Sequence, residues 1–236
     1  MKPTVLLAEA TTPAGDHLEL YSHDENYFLK ANGAQLMTSF SHGSEVELAR
    51  LGCEPIRLAT QPHVLIGGLG LGYTLAEACR SLPQKGARFT VAEVVPEMVA
   101  WNKAHLSHLH PGLWEDLRVE YHFGDVGKLI GKSTEAFNAI LLNTDDGLEA
   151  FVGQNNDALY TQEGLTSLAA ALKLGGLLAV WSSKEDKTFE KRLRLAGFDV
   201  SRAEVPAASR GKQRRRHTIW LARNGEYEPK RRPQQP

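Results

Sequence analysis

The chain has 236 residues, of which 42% are apolar and 23% are charged, and its formal net charge at pH 7 is -1. These values are ordinary for a folded globular protein, and they exclude the charge excess that marks general binding to nucleic acid or to a membrane surface. No apolar run approaches the ~20 residues that cross a bilayer. Cys53 and Cys79 are too few for a disulfide framework or a cysteine metal site. We expect a cytoplasmic protein with reduced thiols.

Residues 1–60 are predicted to form a small β-rich region. Two short alternating segments, His17–Tyr21 and Tyr27–Ala31, flank a turn-rich stretch and predict β-hairpin structure. Apolar residues then recur at helical spacing over Ser44–Leu51, which predicts a helix. Prolines bracket the link from this helix into the rest of the chain.

A glycine-rich turn follows the first strongly apolar strand after this region. Residues 64–74 read Val-Leu-Ile-Gly-Gly-Leu-Gly-Leu-Gly-Tyr-Thr, so Gly68, Gly70 and Gly72 alternate just before a helix-forming stretch. Glycine lacks a Cβ, so the backbone can turn tightly and approach a ligand, which then faces the N–H groups that open the next helix. The dinucleotide fingerprint needs a further glycine where this chain has Tyr73. The spacing favours a nucleoside with little or no phosphate, and a turn that binds no ligand is the alternative.

Two acidic residues are predicted to lie at the same edge of the sheet as this turn. Glu93 is near the end of a second buried strand, and Asp125 follows Gly124 and a third strand at Leu117–Phe123. At the carboxyl edge of an open α/β sheet, a carboxylate in the first position accepts hydrogen bonds from ribose hydroxyls. One in the second position can accept a hydrogen bond from an adenine amino group. The alternatives are a solvated residue for Glu93 and a helix N-cap for Asp125.

The order of elements from residue 64 onward predicts an α/β fold. Repeated strand and helix pairs require a parallel sheet with right-handed crossovers, and two final strands joined by a loop imply an antiparallel partner at one edge. We therefore predict a Rossmann-like domain with a seven-stranded sheet over residues 61–225, followed by a disordered tail at 226–236. The predicted elements after the second strand are a helix from Pro96 to about Leu106, the third strand, a strand at Phe137–Leu142, a helix at Thr161–Lys173 closed by Gly175 and Gly176, a strand at Leu177–Trp181, a helix at Asp186–Ala196, and strands at Asp199–Val205 and His217–Ala222.

Five motifs are spread over nearly the whole chain. They are Asn32-Gly-Ala-Gln-Leu-Met, Gly67-Gly68 with the glycine turn, Glu93, Gly124-Asp125, and Phe137-Asn-Ala-Ile-Leu-Leu-Asn-Thr-Asp-Asp. Together they resemble the polyamine aminopropyltransferases, the spermidine synthase family. The resemblance implies a methyltransferase-like fold, S-adenosylmethionine or decarboxylated S-adenosylmethionine as donor, and a small-molecule amine as acceptor. The residues expected to bind the donor are Gly67, Gly68, Gly70, Gly72, Glu93, Gly124 and Asp125.

Positions 143–146 differ from the family sequence that supplies the base. The family has Asp-Ser-Ser-Asp after the fourth strand, and the matching residues here are Asn143, Thr144, Asp145 and Asp146. An amide is neutral and very weakly basic, so Asn143 cannot take a proton from an attacking amine. Asp145 and Asp146 could bind an amine or share the role of base, and a turn with a helix N-cap is their alternative. Asn143, Asp145 and Asp146 are the catalytic candidates.

Substrate binding is predicted for Gln35, Asp146 and Tyr160. Tyr160 precedes a predicted helix and could close over the donor, and a packed aromatic side chain is its alternative. The acidic and tyrosine residues that hold a diamine in the family have no clear match, because Ser44-Glu-Val-Glu-Leu-Ala offers Glu45 or Glu47 but no tyrosine. The acceptor therefore stays unassigned.

The glycine turn also lacks a charge that the family uses. Its Leu69-Gly70-Leu71 stretch stands where the family carries an aspartate for the aminopropyl ammonium of the donor. Aminopropyl transfer is the leading hypothesis from the resemblance. Methyl transfer from intact S-adenosylmethionine is the runner-up, and a non-catalytic nucleoside-binding relative is the third hypothesis.

Two further clusters are weaker candidates. His105, His108 and His110 follow an H-x2-H-x-H pattern, but no carboxylate or cysteine is arranged with them, so we predict no metal site. A basic turn around Arg214 is typical of a solvated hairpin that discourages edge pairing, and we expect no nucleic-acid partner. The resemblance implies a possible homodimer that pairs through the N-terminal strands.

Overall fold

A computed structural model describes residues 3–143, 156–183, 185–208 and 215–225 of the chain. In these ranges the chain forms a four-stranded sheet and a seven-stranded sheet. The first sheet comprises β1 Val5–Thr11, β2 His17–His23, β3 Asn26–Ala31 and β4 Ala34–Thr38. The second comprises β5 His63–Gly67, β6 Arg88–Glu93, β7 Val119–Phe123, β8 Phe137–Leu142, β9 Leu172–Ser182, β10 Phe198–Pro206 and β11 Arg216–Asn224. The helices are α1 Gly43–Cys53, α2 Tyr73–Ser81, α3 Pro96–His105, α4 Val126–Ile130, α5 Gln162–Ala171 and α6 Lys187–Leu195.

The small N-terminal sheet is an antiparallel meander, in which each strand pairs with the next. Two-residue turns join β2 to β3 at Asp24 and Glu25, and β3 to β4 at Asn32 and Gly33. All four turn residues have positive φ, between 46° and 79°, as the tightest hairpin turns require. The predicted hairpin structure is confirmed, and β1 and β4 extend it on both sides.

The seven-stranded sheet has the order β10-β11-β9-β8-β5-β6-β7. Its strands from β9 to β7 pair in parallel, whereas β11 pairs antiparallel with both β9 and β10. The predicted α/β fold with an antiparallel last strand is confirmed. The last two strands form the predicted antiparallel pair at one edge of the sheet, where β10 is the edge strand and β11 lies between β10 and β9.

Helices cover both faces of the larger sheet. In β5, Val64 and Ile66 pack in the same core cluster as residues of α1 and α2, while Leu65 packs with residues of α4, α5 and α6. A parallel sheet buried on both faces needs such continuous apolar strands. In open α/β sheets of this kind, ligands bind outside the carboxyl ends of the strands.

The predicted boundary between α5 and β9 is wrong. The helix ends at Ala171, and Leu172–Ser182 is one strand that contains Gly175 and Gly176. The pairing with β8 jumps between Leu172 and Leu177, and Gly175 has a φ of 75°. The two glycines therefore belong to an irregular bulge in the strand and not to a helix cap. Residue type could not distinguish the two structures, because a bulge and a C-cap can both use a left-handed backbone.

Other predicted elements differ from the observed ones mainly at their ends. Strand β7 begins at Val119, and the side chain of Leu117 is 98% exposed. Helix α6 begins as predicted, since the Asp186 carboxylate accepts hydrogen bonds from two backbone N–H groups of its first turn. None of the described helices has the length and apolar character that crossing a membrane requires. The proposed division at residue 60 stays a prediction, and the predicted tail lies outside the described residues.

Candidate active site

A cavity of about 440 Å³ lies between the N-terminal sheet and the carboxyl edge of the seven-stranded sheet. This size is within the range of small-molecule sites. The larger sheet contributes residues from the ends of four adjacent strands and the loops after them, among them Gly68, Gly70, Glu93, Gly124, Asp125 and Asn143. The structure thus brings most of the predicted donor-binding residues together. Gly67, the last residue of β5, and Gly72, just before α2, flank this lining.

The glycine loop has the backbone conformation that its sequence predicts. Gly68, Gly70 and Gly72 have φ values of 82°, 52° and 84°, a region that residues with a Cβ rarely adopt. A Cβ at Gly70 would lie 2.6 Å from Sδ of Met37, which belongs to β4. The N-terminal sheet therefore packs directly on the loop, and any side chain at this position would need Met37 to move in addition to a left-handed backbone.

Glu93 holds the start of this loop, at Leu69. Its carboxylate accepts hydrogen bonds from the backbone N–H groups of Leu69 and Val95, each at 2.9 Å. The residue is only 7% exposed, which excludes the solvated alternative. Burial raises the pKa of Glu93, and the backbone hydrogen bonds oppose that rise. Each carboxylate oxygen has two lone pairs, so capacity remains to accept a hydrogen bond from a ligand hydroxyl.

Two buried polar side chains hold the far side of the loop, and the sequence analysis did not assign them there. Nδ2 of Asn102 in α3 donates a hydrogen bond to the carbonyl oxygen of Gly70 at 2.8 Å. Nε2 of His110 lies 2.8 Å from the carbonyl oxygen of Leu71. Asn102 is fully buried and His110 is 7% exposed. An asparagine inside a helix carries no local signal for such a contact, which explains why it was missed.

Asp125 is the helix N-cap that was its alternative, and it also has a place in the cavity lining. Its Oδ1 accepts a hydrogen bond from the backbone N–H of Lys128 at 2.7 Å, so it is the N-cap of α4. It also lines the cavity next to Gly124. The neighbouring backbone is tied to β6, because the N–H of Gly124 donates to the carbonyl of Glu93 at 2.9 Å. Oδ2 of Asp125 is the atom that could accept from a ligand amino group.

Asn143 lies at the opposite end of the lining from Asp125. It follows β8 directly, its backbone N–H donates to the carbonyl of Gly67 at 3.4 Å, and it lines the cavity. Its amide can donate and accept hydrogen bonds but cannot serve as a base. Asp145 and Asp146, the other two catalytic candidates, lie outside the described residues.

Gln35 and Tyr160 are not among the described residues that line the cavity. Gln35 is exposed on β4 and pairs with Lys30 in the neighbouring strand. Leu36 and Met37, the next two residues of β4, line the cavity instead. Tyr160 is 3% exposed, and its ring packs edge-to-face on Phe189 at 5.6 Å between centroids. This is the packed position that was the alternative for Tyr160.

The two glutamates that the sequence offered for an acceptor lie in different surroundings. Glu47 forms an ion pair with Arg50 on the surface of α1, with 2.6 Å between nitrogen and oxygen. Glu45 is buried, and it accepts a hydrogen bond from the hydroxyl of Ser44, which lies 2.9 Å from Nδ1 of His217. Burial raises the pKa of Glu45 to about 7 and lowers the pKa of His217 to about 4. Neither glutamate is among the described residues of the cavity.

The histidine cluster is divided between different contacts. His105 ends α3, His108 is exposed with its ring 5.4 Å from Tyr27, and His110 points into the interior. Burial lowers the pKa of His110, and its bond to the carbonyl of Leu71 opposes that shift. Within the described ranges, no group of three or more histidine, cysteine or acidic residues is arranged to hold a metal ion.

The two walls of the cavity differ in chemical character. The wall from the N-terminal sheet includes the apolar side chains of Leu18, Leu29, Leu36 and Met37. The opposite wall carries the glycine backbone and the two carboxylates. A flat aromatic base and a ribose fit this combination, because apolar side chains cover one face while carboxylates accept from amino and hydroxyl groups.

Comparison with known families agrees with this chemistry. The family model described as S-adenosyl-L-methionine-dependent methyltransferase matches residues 90–218, more than half of the chain. The chain belongs to this family. A curated relative with a different name is the polyamine aminopropyltransferase of Sulfolobus acidocaldarius, which is 30% identical to this chain over 121 residues. That match covers 51% of this chain and 38% of the relative, so less than two fifths of the relative's length is matched.

Solved structures similar to this methyltransferase-family chain include two spermidine synthases. The enzyme from Thermotoga maritima aligns with a TM-score of 0.68 and 16% identity, over 93% of this chain and 73% of the other. A spermidine synthase in complex with the transition state analogue AdoDATO aligns with a TM-score of 0.71 and 19% identity, over 93% and 74%. At these identities the likeness shows the fold. Together with the curated relative, it confirms the resemblance read from the sequence.

Proposed function

We propose that the protein binds S-adenosylmethionine or its decarboxylated form in the cavity and transfers an aminopropyl group to a small-molecule amine. One observation carries the proposal. The glycine loop, Glu93 and Asp125 follow or end three adjacent strands, and all three line one cavity of suitable size. Family membership supports a donor of the S-adenosylmethionine type.

The strand order suggests how the donor would lie. Since β8, β5, β6 and β7 are successive neighbours, Asn143, the glycine loop, Glu93 and Asp125 follow one another along the sheet edge. We assign the adenine to Asp125, the ribose to the free lone pairs of Glu93, and the sulfonium to the end near Asn143. The apolar wall of the N-terminal sheet would cover the donor and exclude water.

The reaction needs positioning more than it needs bond-making groups on the protein. The nitrogen lone pair of the acceptor attacks the carbon next to the sulfonium, the carbon–sulfur bond breaks, and its electron pair stays on sulfur. The new ammonium then loses a proton to a base. Holding donor and acceptor in line accounts for much of the rate. Asn143 cannot be the base, so Asp145 and Asp146 remain the candidates for that role.

Methyl transfer from intact S-adenosylmethionine is the second candidate. Two sequence departures favour it, since Asn143 replaces the base and Leu69-Gly70-Leu71 replaces an acidic residue expected to hold the aminopropyl ammonium. The family match also names a methyltransferase. Aminopropyl transfer is preferred because the similar curated protein is named a polyamine aminopropyltransferase.

Calorimetric titration with the two donors separates these candidates. The aminopropyl proposal expects the decarboxylated donor to bind at least as tightly as intact S-adenosylmethionine. Binding of the carboxylated donor that is tighter by roughly tenfold or more would contradict it and support methyl transfer. If neither donor binds at millimolar concentration, both candidates are wrong.

A turnover assay with a panel of amines tests whether the protein is a catalyst at all. We expect the wild type to consume donor, and turnover would exclude the non-catalytic relative. An inert wild type that gains turnover in the Asn143→Asp variant would instead show that the base has been lost. Asn26→Asp is the matched control, because Asn26 bonds to the carbonyl of Asp24 in a hairpin and does not line the cavity.

A further inference from the structure

The glycine loop directs two of its carbonyl groups away from the cavity. The carbonyl oxygens of Gly70 and Leu71 accept hydrogen bonds from Asn102 and His110 at 2.8 Å each. Neither Asn102 nor His110 is among the described residues that line the cavity. These two side chains therefore contact the loop from its buried side.

Other polar groups of the loop backbone also have hydrogen-bond partners. The N–H of Leu69 donates to Glu93, and the N–H of Gly72 donates back to the carbonyl of Leu69 at 3.0 Å. Glycine leaves a backbone unusually free, so a loop with three of them needs such anchors to keep one conformation. Without the two carbonyl anchors, the peptide units at Gly70 and Leu71 could rotate relative to the cavity.

The environment of His110 leaves little freedom for its ring. The ring meets Tyr73 edge-to-face with 4.7 Å between centroids and lies 6.3 Å from the Trp114 ring. A Cβ at Gly72 would be 3.1 Å from Cδ2 of His110. A carbonyl oxygen can only accept a hydrogen bond, so the contact with Leu71 requires the proton on Nε2. The ring therefore carries a proton on Nε2, and the surrounding rings restrict its orientation.

Asn102 is held with similar precision. It is fully buried, and its Nδ2 also donates to the carbonyl of Met98 one turn earlier in α3, at 2.8 Å. The amide group therefore ties the helix backbone to the loop through a single nitrogen. Breaking this link would leave the Gly70 carbonyl without its buried donor, which costs more than the net worth of an ordinary hydrogen bond.

We propose that Asn102 and His110 are positioning residues for the donor. They hold the Gly70 and Leu71 peptide units in the conformation that binds the adenosyl moiety, and they touch neither donor nor acceptor. This inference rests on the proposed function, because it concerns the same cavity. It adds two residues to the site that the glycine motif alone does not reveal.

Titration with 5′-methylthioadenosine, which contains the adenosyl part of both donors, tests the role of His110. The His110→Phe variant keeps an aromatic ring but removes the donor, and we expect it to bind the nucleoside roughly tenfold more weakly. His110→Gln restores an N–H donor and should recover part of this loss. His108→Phe is the matched control, since His108 is exposed in the same segment, and it should bind like the wild type.

The unfolding midpoint of each variant separates positioning from simple stabilisation. A folded His110→Phe protein that binds the nucleoside as tightly as the wild type would overturn the inference, even if its midpoint is lower. Asn102→Leu should show the same loss of affinity. A folded Asn102→Leu protein with wild-type affinity would remove Asn102 from the inference. Failure of the wild type to bind any adenosyl compound would overturn the proposed function itself, which distinguishes the two outcomes.

A measurement on the wild type serves if these variants do not fold. Nitrogen-15 spectra of the histidine rings report which nitrogen carries the proton. We expect His110 to carry it on Nε2, and its signals to shift when 5′-methylthioadenosine is added. A proton on Nδ1, or signals that do not respond to a nucleoside that binds, would overturn the role of His110.

Discussion

The regions around Glu93 and Glu45 each bury one carboxylate, but they use it differently. Both side chains are 7% exposed, and burial raises the pKa of both. Glu93 accepts two backbone N–H groups and lines the cavity, whereas Glu45 accepts the hydroxyl of Ser44 away from the described lining. A raised carboxylate pKa therefore does not by itself identify a binding site. What distinguishes Glu93 is its place in the cavity lining and its hydrogen bond to the backbone of the glycine loop.

Replacing Glu93 should have the largest effect. In Glu93→Gln, an amide NH₂ would face the backbone N–H of Leu69 or Val95, and one of these donors would lose its acceptor. We expect the free energy of unfolding to fall by about 3 kcal/mol and nucleoside affinity to fall by roughly a hundredfold. Denaturant unfolding and calorimetry measure the two effects. Unchanged affinity would remove Glu93 from the proposed site.

The same substitution at Glu45 should raise the free energy of unfolding above pH 7, whereas Glu93→Gln should lower it. The pKa of Glu45 is raised from 4.5 to about 7, so the folded state binds the proton more tightly than the unfolded state does. Stability from this group is present below pH 4.5 and is lost as the pH rises to 7. Glu45→Gln removes that loss, and we expect it to stabilise the protein at pH 8 by on the order of 2 kcal/mol. Nucleoside affinity should not change, and a large loss of affinity would place Glu45 in the site after all.

The pH dependence of the wild-type stability has a second contribution, which comes from His217. Its pKa is lowered from 6.5 to about 4, so its share of the stability is present above pH 6.5 and is lost as the pH falls to 4. In the wild type the two groups oppose each other between about pH 4.5 and 6.5. Because the opposing contribution of Glu45 is removed, the stability of Glu45→Gln should rise more steeply with pH across this range than that of the wild type. A flat profile in the variant would contradict the assignment.

An intermediate effect is expected at Gly70. Gly70→Ala places a Cβ in the left-handed region, which costs about 1 kcal/mol, and also forces Met37 to move. Gly33→Ala is the matched control, since Gly33 has a φ of 79° and nothing within 4 Å of the Cβ position. We expect Gly70→Ala to destabilise the protein by about 2 kcal/mol in all, the excess over Gly33→Ala being overpacking. The excess should largely disappear in a Met37→Ala background. Equal costs at the two glycines would mean that Met37 does not press on the loop.

The smallest effect on stability is expected at Asp125. In Asp125→Asn the side-chain oxygen can still cap α4, so the free energy of unfolding should change by less than about 0.5 kcal/mol. The second oxygen becomes an NH₂ group that cannot accept from an adenine amino group, and nucleoside affinity should fall by roughly tenfold. Asp125→Ala removes both functions and should lower stability and affinity together. An Asn variant that binds like the wild type would leave the N-cap as the only role of Asp125.

Much of the cavity wall that carries the glycine loop and the carboxylates could be predicted because its signals are local. Gly68, Gly70 and Gly72 indicate positive φ by their residue type. Glu93 and Asp125 lie at the ends of apolar strands, and the carboxyl ends of these strands meet at one edge of the sheet. The errors arose where the same residues serve two structures. Gly175 and Gly176 suggest a helix end, but the pairing of β9 with β8 uses them as a bulge.

The sequence by itself determined the α/β alternation, the glycine loop and the carboxylates at the strand ends, because each depends on neighbours in the chain. Only the tertiary structure decided that Met37 covers the loop, that Asn102 and His110 anchor it, and that Tyr160 and Glu45 are packed away from the cavity lining. These outcomes depend on which distant elements pack together. Burial and hydrogen bonding between such elements leave no periodic pattern in the chain, so residue type and spacing could not predict them.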